Sequence, residues 1–184
     1  MTKLNQGEKF PNLQFDTADK QGLQVYDILK GKTVFWVLRY IGCPTCRLDV
    51  HQLAQRYAEI QDAGAQIYVV MQSDPEHIHK DLAKTNTVLP FEIICDPKQE
   101  FYSTLSVEAA KSKLQLAGSG VFKVLQKGKA ARAQGFNHGD YEVNELQLPA
   151  CFIVGEDGTA EYVHYARNMA DMPTIDELLK ILKK

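Results

Sequence analysis

The chain has 184 residues, 45% of them hydrophobic and 24% charged, with a net charge of −2 and four cysteines. That length suits one domain, residues 1–184, able to bury a sizeable core without staples, and the cysteine density is far below that of a secreted disulfide scaffold. The start "MTKLNQGEKFPNLQF" has no apolar stretch long enough for a signal peptide, and the longest apolar run, Thr33 to Leu38, is too short to span a bilayer, so we expect a cytoplasmic protein with reduced thiols and no membrane partner.

Taken in order, "NLQFDTADKQGLQVYDIL" reads as an N-terminal hairpin turning at Lys20–Gly22. "TVFWVLRY" (Thr33–Tyr40) is a continuous β-branched and aromatic run, the pattern of a strand buried on both faces. A helix follows, with Val50, Leu53, Ala54 and Tyr57 on one face, running to "DAGA". "QIYVVMQ" is a second buried strand. "DPEHIHKDLAKT" is a helix with Asp74 as N-cap and Pro75 at its first position. "FEIIC" is a third strand, and "DPKQEFYSTL" opens another helix. This alternation implies right-handed crossovers and a parallel sheet.

A middle insertion, about residues 106–148, holds helical patches and the polar loop "GFNHGDYEVNE". It reads either as a segment shaping substrate access or as the surface of a homodimer. Its basic stretch, with Lys123, Lys127, Lys129 and Arg132, has only Phe122 and Phe136 nearby and reads as a solvated helix end, not a nucleic-acid surface. "ACFIV" and "TAEYVHY", joined by "GEDG", form an antiparallel pair. The chain closes with a helix, Ile175, Leu178, Leu179 and Leu182 on its apolar face and Thr174 with Glu177 as capping box. The expected fold is α/β and thioredoxin-like: a mixed central sheet flanked by helices, with an N-terminal hairpin and a middle helical insertion.

The chemistry lies in "RYIGCPTCR". Cys43 falls where a buried strand turns into a helix, with Pro44 in the first turn. Helix N-termini present unpaired N–H groups and a positive dipole end, so a thiolate is favoured there, and Arg39 and Arg47 are near enough to lower its pKa further. Cys46, one turn later on the same face, is within reach of a disulfide and should be the more buried of the two. Cys43 then attacks and Cys46 resolves. A zinc or iron–sulfur site would need a second ligand pair, and Cys95 and Cys151 are isolated. Cys95, ending a strand, leaves a secondary resolving role open, while Cys151 reads as core. His77 and His79 point different ways on one helix, and His51 lies two turns beyond Cys43. No metal is implied, and no bound cofactor, because sulfur carries the electrons. Pro149, directly before a buried strand, matches the position of the cis-proline that packs against the cysteine pair in thioredoxin-like proteins.

"GEKFPNLQF", "GKTVFWVLRYIGCPTCRLDV", "ICDPKQEFYSTL", "LPACFIVGEDGTAEYVHY" and "DMPTIDELL" together resemble the AhpC/TSA peroxiredoxin group, and more narrowly its peroxiredoxin-like branch. The resemblance implies a thioredoxin fold and thiol-based reduction of peroxides or disulfides, with Cys43 at the peroxidatic position, Pro44 after it, and an external thiol reductant such as a thioredoxin-like donor. Three departures stand out. Tyr40 replaces the Thr or Ser that binds peroxide, Pro149 stands where an Arg precedes the late strand, and Cys46 replaces a non-thiol residue. Arg39, Arg47 or Arg132 would have to supply the missing guanidinium. Two other readings use the same pair: a thioredoxin-like protein disulfide reductase, and a non-catalytic redox sensor.

Overall fold

In the computed structural model, which describes residues 2–184 apart from the side chain at 119, the N-terminal hairpin pairs β1 (Gln14–Thr17) with β2 (Leu23–Gln24), Phe15 opposite Leu23. It is no free appendage, because β1 also joins the main sheet. One turn of helix, α1 (Val25–Ile28), leads to β3 (Lys32–Val37), then α2 (Pro44–Gln55), α3 (Tyr57–Asp62) and β4 (Ala65–Met71). The single long helix expected after Cys46 is broken at Arg56, whose backbone leaves the helical region. The Arg56 guanidinium bonds Glu59 and reaches Asp176 at 2.5 Å, tying α3 to the far end of the chain.

Next come α4 (Pro75–Lys84), with Asp74 capping the His77 N–H as expected, and β5 (Glu92–Cys95). Then α5 (Glu100–Thr104) starts over Asp96, whose carboxylate accepts from the N–H groups of Glu100 and Phe101. The insertion holds α6 (Lys113–Ala117) and α7 (Val121–Ala133), and α7 is capped at Gln134 and followed by Gly135, whose positive φ of 78° a side chain would resist. β6 (Ala150–Val154), β7 (Ala160–Tyr165) and α8 (Ile175–Leu182) finish the chain, α8 with both halves of its capping box in place.

The seven strands run in the order β2-β1-β5-β4-β3-β6-β7, with β3, β4 and β5 parallel and the rest antiparallel. This is the expected thioredoxin-like α/β arrangement. Alternation along β3 divides the core. Val34 and Trp36 pack towards α2, α3 and α8 with Ile67, Val69, Leu53, Ile60 and Leu178, while Phe35 and Val37 pack the other way, onto Phe10, Phe101 and Phe152. Phe10 stacks on Phe35 at 4.8 Å between ring centroids. Each such side chain taken out of water is worth about 1.5–3 kcal/mol, which is why β3 reads as one unbroken apolar run. No helix among the described residues is long and apolar enough to cross a membrane.

Candidate active site

β3 stops at Val37, but the next residues keep touching the sheet: Leu38 N–H donates to Val70, and Gln72 N–H donates to the Arg39 carbonyl. The turn that follows is held from below by polar groups buried just after β4 and on α5. Ser73 Oγ accepts from Ile41 N–H at 2.8 Å, and the Tyr102 hydroxyl donates to the Leu38 carbonyl at 2.8 Å. Out of this fixed turn the chain enters α2, with Cys43 as the N-cap and Pro44 in the first helical position.

Three donors converge on Cys43 Sγ. Arg39 Nη2 lies 2.8 Å away, the Thr45 hydroxyl 3.1 Å, and the Cys46 N–H, one of the orphan donors of the helix terminus, 3.4 Å. Burial alone would raise this thiol's pKa. The hydrogen bond from the Cys46 thiol, the Arg39 charge and the Thr45 hydroxyl outweigh it, and Cys43 is held well below the usual thiol range. Cys46 moves the opposite way: burial, and the thiolate beside it, push it well above. These opposite shifts favour Cys43 as the thiolate and Cys46 as the thiol, and neither cysteine is in a disulfide.

The expected order of exposure is not found. Cys43 is 0% exposed and Cys46 4%, because the sulfur at the helix terminus is roofed by the insertion. The polar loop after α7 folds back as a strap over the turn. Gly139 N–H donates to the Gly42 carbonyl at 2.8 Å, and the Glu145 carbonyl accepts from Arg39 Nη1 at 2.6 Å. Gly42 permits this approach, since a Cβ there would collide with the Asp140 carbonyl. Arg39 is therefore a clamp between strap and sulfur, and its head is buried.

The other expected residues are placed differently. Arg47 does not reach Cys43: it donates to the Ile41 carbonyl at 2.9 Å and the Asn137 carbonyl at 3.2 Å, and pairs with Asp81. Arg132 is exposed on α7. Tyr40 is buried, but its hydroxyl turns to His138 Nε2 at 3.3 Å, so the hydroxyl at the sulfur comes from Thr45 instead. Pro149 is not cis: no described peptide bond is. Arg39 occupies the space beside Cys43, and Pro149 lines a small cavity with Cys46, Arg39, Thr45, Asp49 and Lys127. Its carbonyl joins the β6–β7 ladder through Ala166 N–H, which a trans proline before a strand allows. The histidines stay outside, with His51 against Phe136, His77 on Asp74 and His79 on the Ala18 carbonyl.

Sequence reasoning missed Thr45, the strap carbonyl of Glu145 and the part-buried ion pair of Asp49 with Lys127, 2.6 Å apart. Thr45 stood in plain view inside "CPTC", since a hydroxyl two residues past an N-cap lies over the cap's side chain. A carbonyl or an inter-helix pair leaves no such mark.

The fold recurs in solved structures. A peroxiredoxin-like protein from Aquifex aeolicus matches with a TM-score of 0.71 at 16% identity, over 100% of this chain and 88% of that one. A variant of peroxiredoxin 6 from Arenicola marina matches at 0.70 and 15%, over 97% and 72%, and Enterococcus faecalis AhpC at 0.69 and 15%, over 97% and 90%. No curated protein matches by sequence. The model of the AhpC/TSA family matches residues 6–163. With a thioredoxin-like sheet carrying a cysteine thiolate at a helix N-terminus, and a family match over most of its length, the chain belongs to the AhpC/TSA family and is a thiol peroxidase or thiol–disulfide oxidoreductase of the peroxiredoxin type.

Proposed function

We propose that the protein reduces peroxides through Cys43, with Cys46 as the resolving thiol. The Cys43 thiolate attacks one oxygen of the O–O bond. The bond breaks, alkoxide or hydroxide leaves and takes a proton, and Cys43 becomes a sulfenic acid. The Cys46 thiol then attacks that sulfur, releasing water and closing a Cys43–Cys46 disulfide, which an external thiol, such as a thioredoxin-like donor, reduces. The observation that carries this is the convergence of Arg39, Thr45 and the Cys46 N–H on one sulfur. These donors keep the nucleophile charged, and Arg39 and Thr45 are also placed to polarise the peroxide oxygens beside it.

Peroxide is favoured over a protein disulfide by the roof. A small oxidant needs only a brief opening of the strap, whereas a protein disulfide needs the sulfur on an open surface, and Cys43 is 0% exposed. Four cysteines in 184 residues, far fewer than a secreted disulfide scaffold carries, suit a reducing compartment, and we assign the protein to the cytoplasm.

The test compares wild type, Cys43→Ser and Cys46→Ser for turnover of hydrogen peroxide and of a protein disulfide, with dithiothreitol as reductant. Cys43→Ser is expected to lose peroxide turnover entirely. Cys46→Ser keeps a single round of peroxide consumption but loses the internal disulfide, read as a missing two-hydrogen mass loss. Peroxide turnover surviving in Cys43→Ser defeats the proposal, and faster reduction of the protein disulfide than of peroxide would favour the reductase reading.

A further inference from the structure

The strap over Cys43 is also gripped from beneath, by a side chain that the chemistry leaves unused. Gln72, the residue after β4, is 0% exposed. Its carboxamide is fully engaged. Nε2 donates to the Arg39 carbonyl and to the Asn144 carbonyl, each at 3.2 Å. Oε1 accepts from the Asn144 N–H at 3.0 Å and from the Gln99 carboxamide. A carboxamide has two N–H donors and one oxygen with two lone pairs, so no capacity is left over. The two carbonyls also fix its orientation, because the flipped group would set its oxygen against both.

Gln72 thus takes both backbone groups of Asn144, as a neighbouring strand would. Asn144 directly precedes Glu145, whose carbonyl holds Arg39 Nη1 at 2.6 Å. The one amide therefore meets Arg39 twice: at its backbone directly, and at its guanidinium through the strap. The strap needs such a hold. Val143, next to Asn144, has φ of 44°, a left-handed conformation that β-branched residues avoid. Its side chain is 60% exposed, so packing does not impose that conformation. Strained backbone persists where its surroundings fix it, and the adjacent hold is the paired hydrogen bonds of Gln72 with Asn144.

We infer that Gln72 is a positioning residue for Cys43: by latching Asn144 it holds the Glu145 carbonyl against the Arg39 guanidinium, and so keeps Arg39 on Sγ. The inference rests on Cys43 as the reacting sulfur. With the latch made, Arg39 Nη1 is taken by Glu145, and Nη2 is left facing Sγ at 2.8 Å. With the latch broken, the Asn144 N–H and carbonyl lose their partners and the strap lifts. Arg39 then keeps its charge but loses the contact that aims it.

The test is Gln72→Met, which keeps the length of the side chain and removes its hydrogen bonds. Ultraviolet thiolate absorbance, which needs no peroxide, reads the pH midpoint of Cys43 as the step absent in Cys43→Ser. That midpoint should rise, and hydrogen exchange at the Asn144 N–H should quicken. The rate of peroxide reduction at neutral pH should fall about tenfold, less than the ~hundredfold that misplacing a catalytic group can cost. Leu179→Ala, a cavity on the α8 side of the core, lowers stability without touching the strap and should leave the midpoint unmoved. Because Gln72 acts through Arg39, the double variant of Gln72→Met with Arg39→Met should show the midpoint of Arg39→Met alone. If Gln72→Met does not fold, Gln72→Asn, one methylene shorter and unable to reach both Arg39 and Asn144, carries the same measurements. A midpoint that loss of the amide does not move, or a shift that adds in full to that of Arg39→Met, overturns the inference while leaving the peroxidase reading intact. The expected shift in a protein whose peroxide turnover survives Cys43→Ser upholds the latch and overturns the peroxidase reading alone.

Discussion

Cys43 lies just past the carboxyl end of the parallel strand β3, and Cys95 is the last residue of the parallel strand β5; both are buried. Their chemistry is opposite. Around Cys95, burial and the carboxylates of Asp74, Asp16, Asp19 and Glu142 push the thiol up to about 12, and its sulfur meets only the Ile93 carbonyl, at 3.9 Å. Around Cys43, burial acts the same way but the neighbours are donors and a guanidinium. Burial therefore does not decide which cysteine is reactive. It amplifies whatever charge is brought beside the sulfur, because a low-dielectric surround strengthens both attraction and repulsion.

The largest effect that should erase this contrast is Arg39→Met. It removes the charge and the hydrogen bond to Sγ and frees the strap at Glu145, and the rate of peroxide reduction at neutral pH should fall about a hundredfold, the scale of losing one donor aimed at the reacting centre. Stopped-flow peroxide consumption measures it. Gly42→Ala forces the strap off the turn. Alkylation of Cys43 by iodoacetamide should become about tenfold faster, with about 1–3 kcal/mol lost from urea unfolding as the cost of overpacking.

Those two substitutions also mark what could be read from the sequence. The strand in "TVFWVLRY", which ends at Val37 in the structure, the helix start at Cys43 and Pro44, and the buried strands in "QIYVVMQ" and "ACFIV" follow from periodicity and local chemistry, and the structure keeps them. Arg39 was among three candidate guanidiniums, and only packing could choose it. Arg47 is as near to Cys43 along the chain as Arg39, yet its head is spent on Ile41, Asn137 and Asp81. The strap was visible only as a polar loop, because its grip on Gly42 and Arg39 runs through backbone carbonyls, which every residue type possesses. The cis-proline expectation failed for the same reason: Pro149 has the right place in the chain, but the space beside the sulfur is filled by Arg39 from another segment.

Smaller effects sharpen the contrast. Thr45→Val keeps the shape and removes one hydroxyl from Sγ, so the pH midpoint of Cys43 alkylation should rise, by less than in Arg39→Met. Stability should follow the same division. A free thiol titrates near ~8.5. Between the depressed value of Cys43 and that point, the unfolded chain holds a proton that the folded one has released, so stability rises with pH and is lost as pH falls through the folded value. Cys46, raised when folded, contributes fully below that point and loses its contribution as pH climbs through its own folded value. Urea unfolding of the reduced protein between neutrality and the free-thiol value should thus show a rise, of at most about 1.4 kcal/mol per pH unit, that Cys43→Ser abolishes. At the small end, Cys95→Ser should leave peroxide turnover unchanged within about twofold and cost about 1 kcal/mol or less in stability, because nothing near the reacting sulfur depends on it.

The central claim is that Cys43 is a thiolate at neutral pH because Arg39 stands beside it. Ultraviolet thiolate absorbance, titrated in wild type, Cys43→Ser and Arg39→Met, tests it directly. The account predicts a wild-type step well below the free-thiol value, absent in Cys43→Ser and shifted upward in Arg39→Met. A wild-type step at or above that value, or one that Arg39→Met does not move, would contradict it.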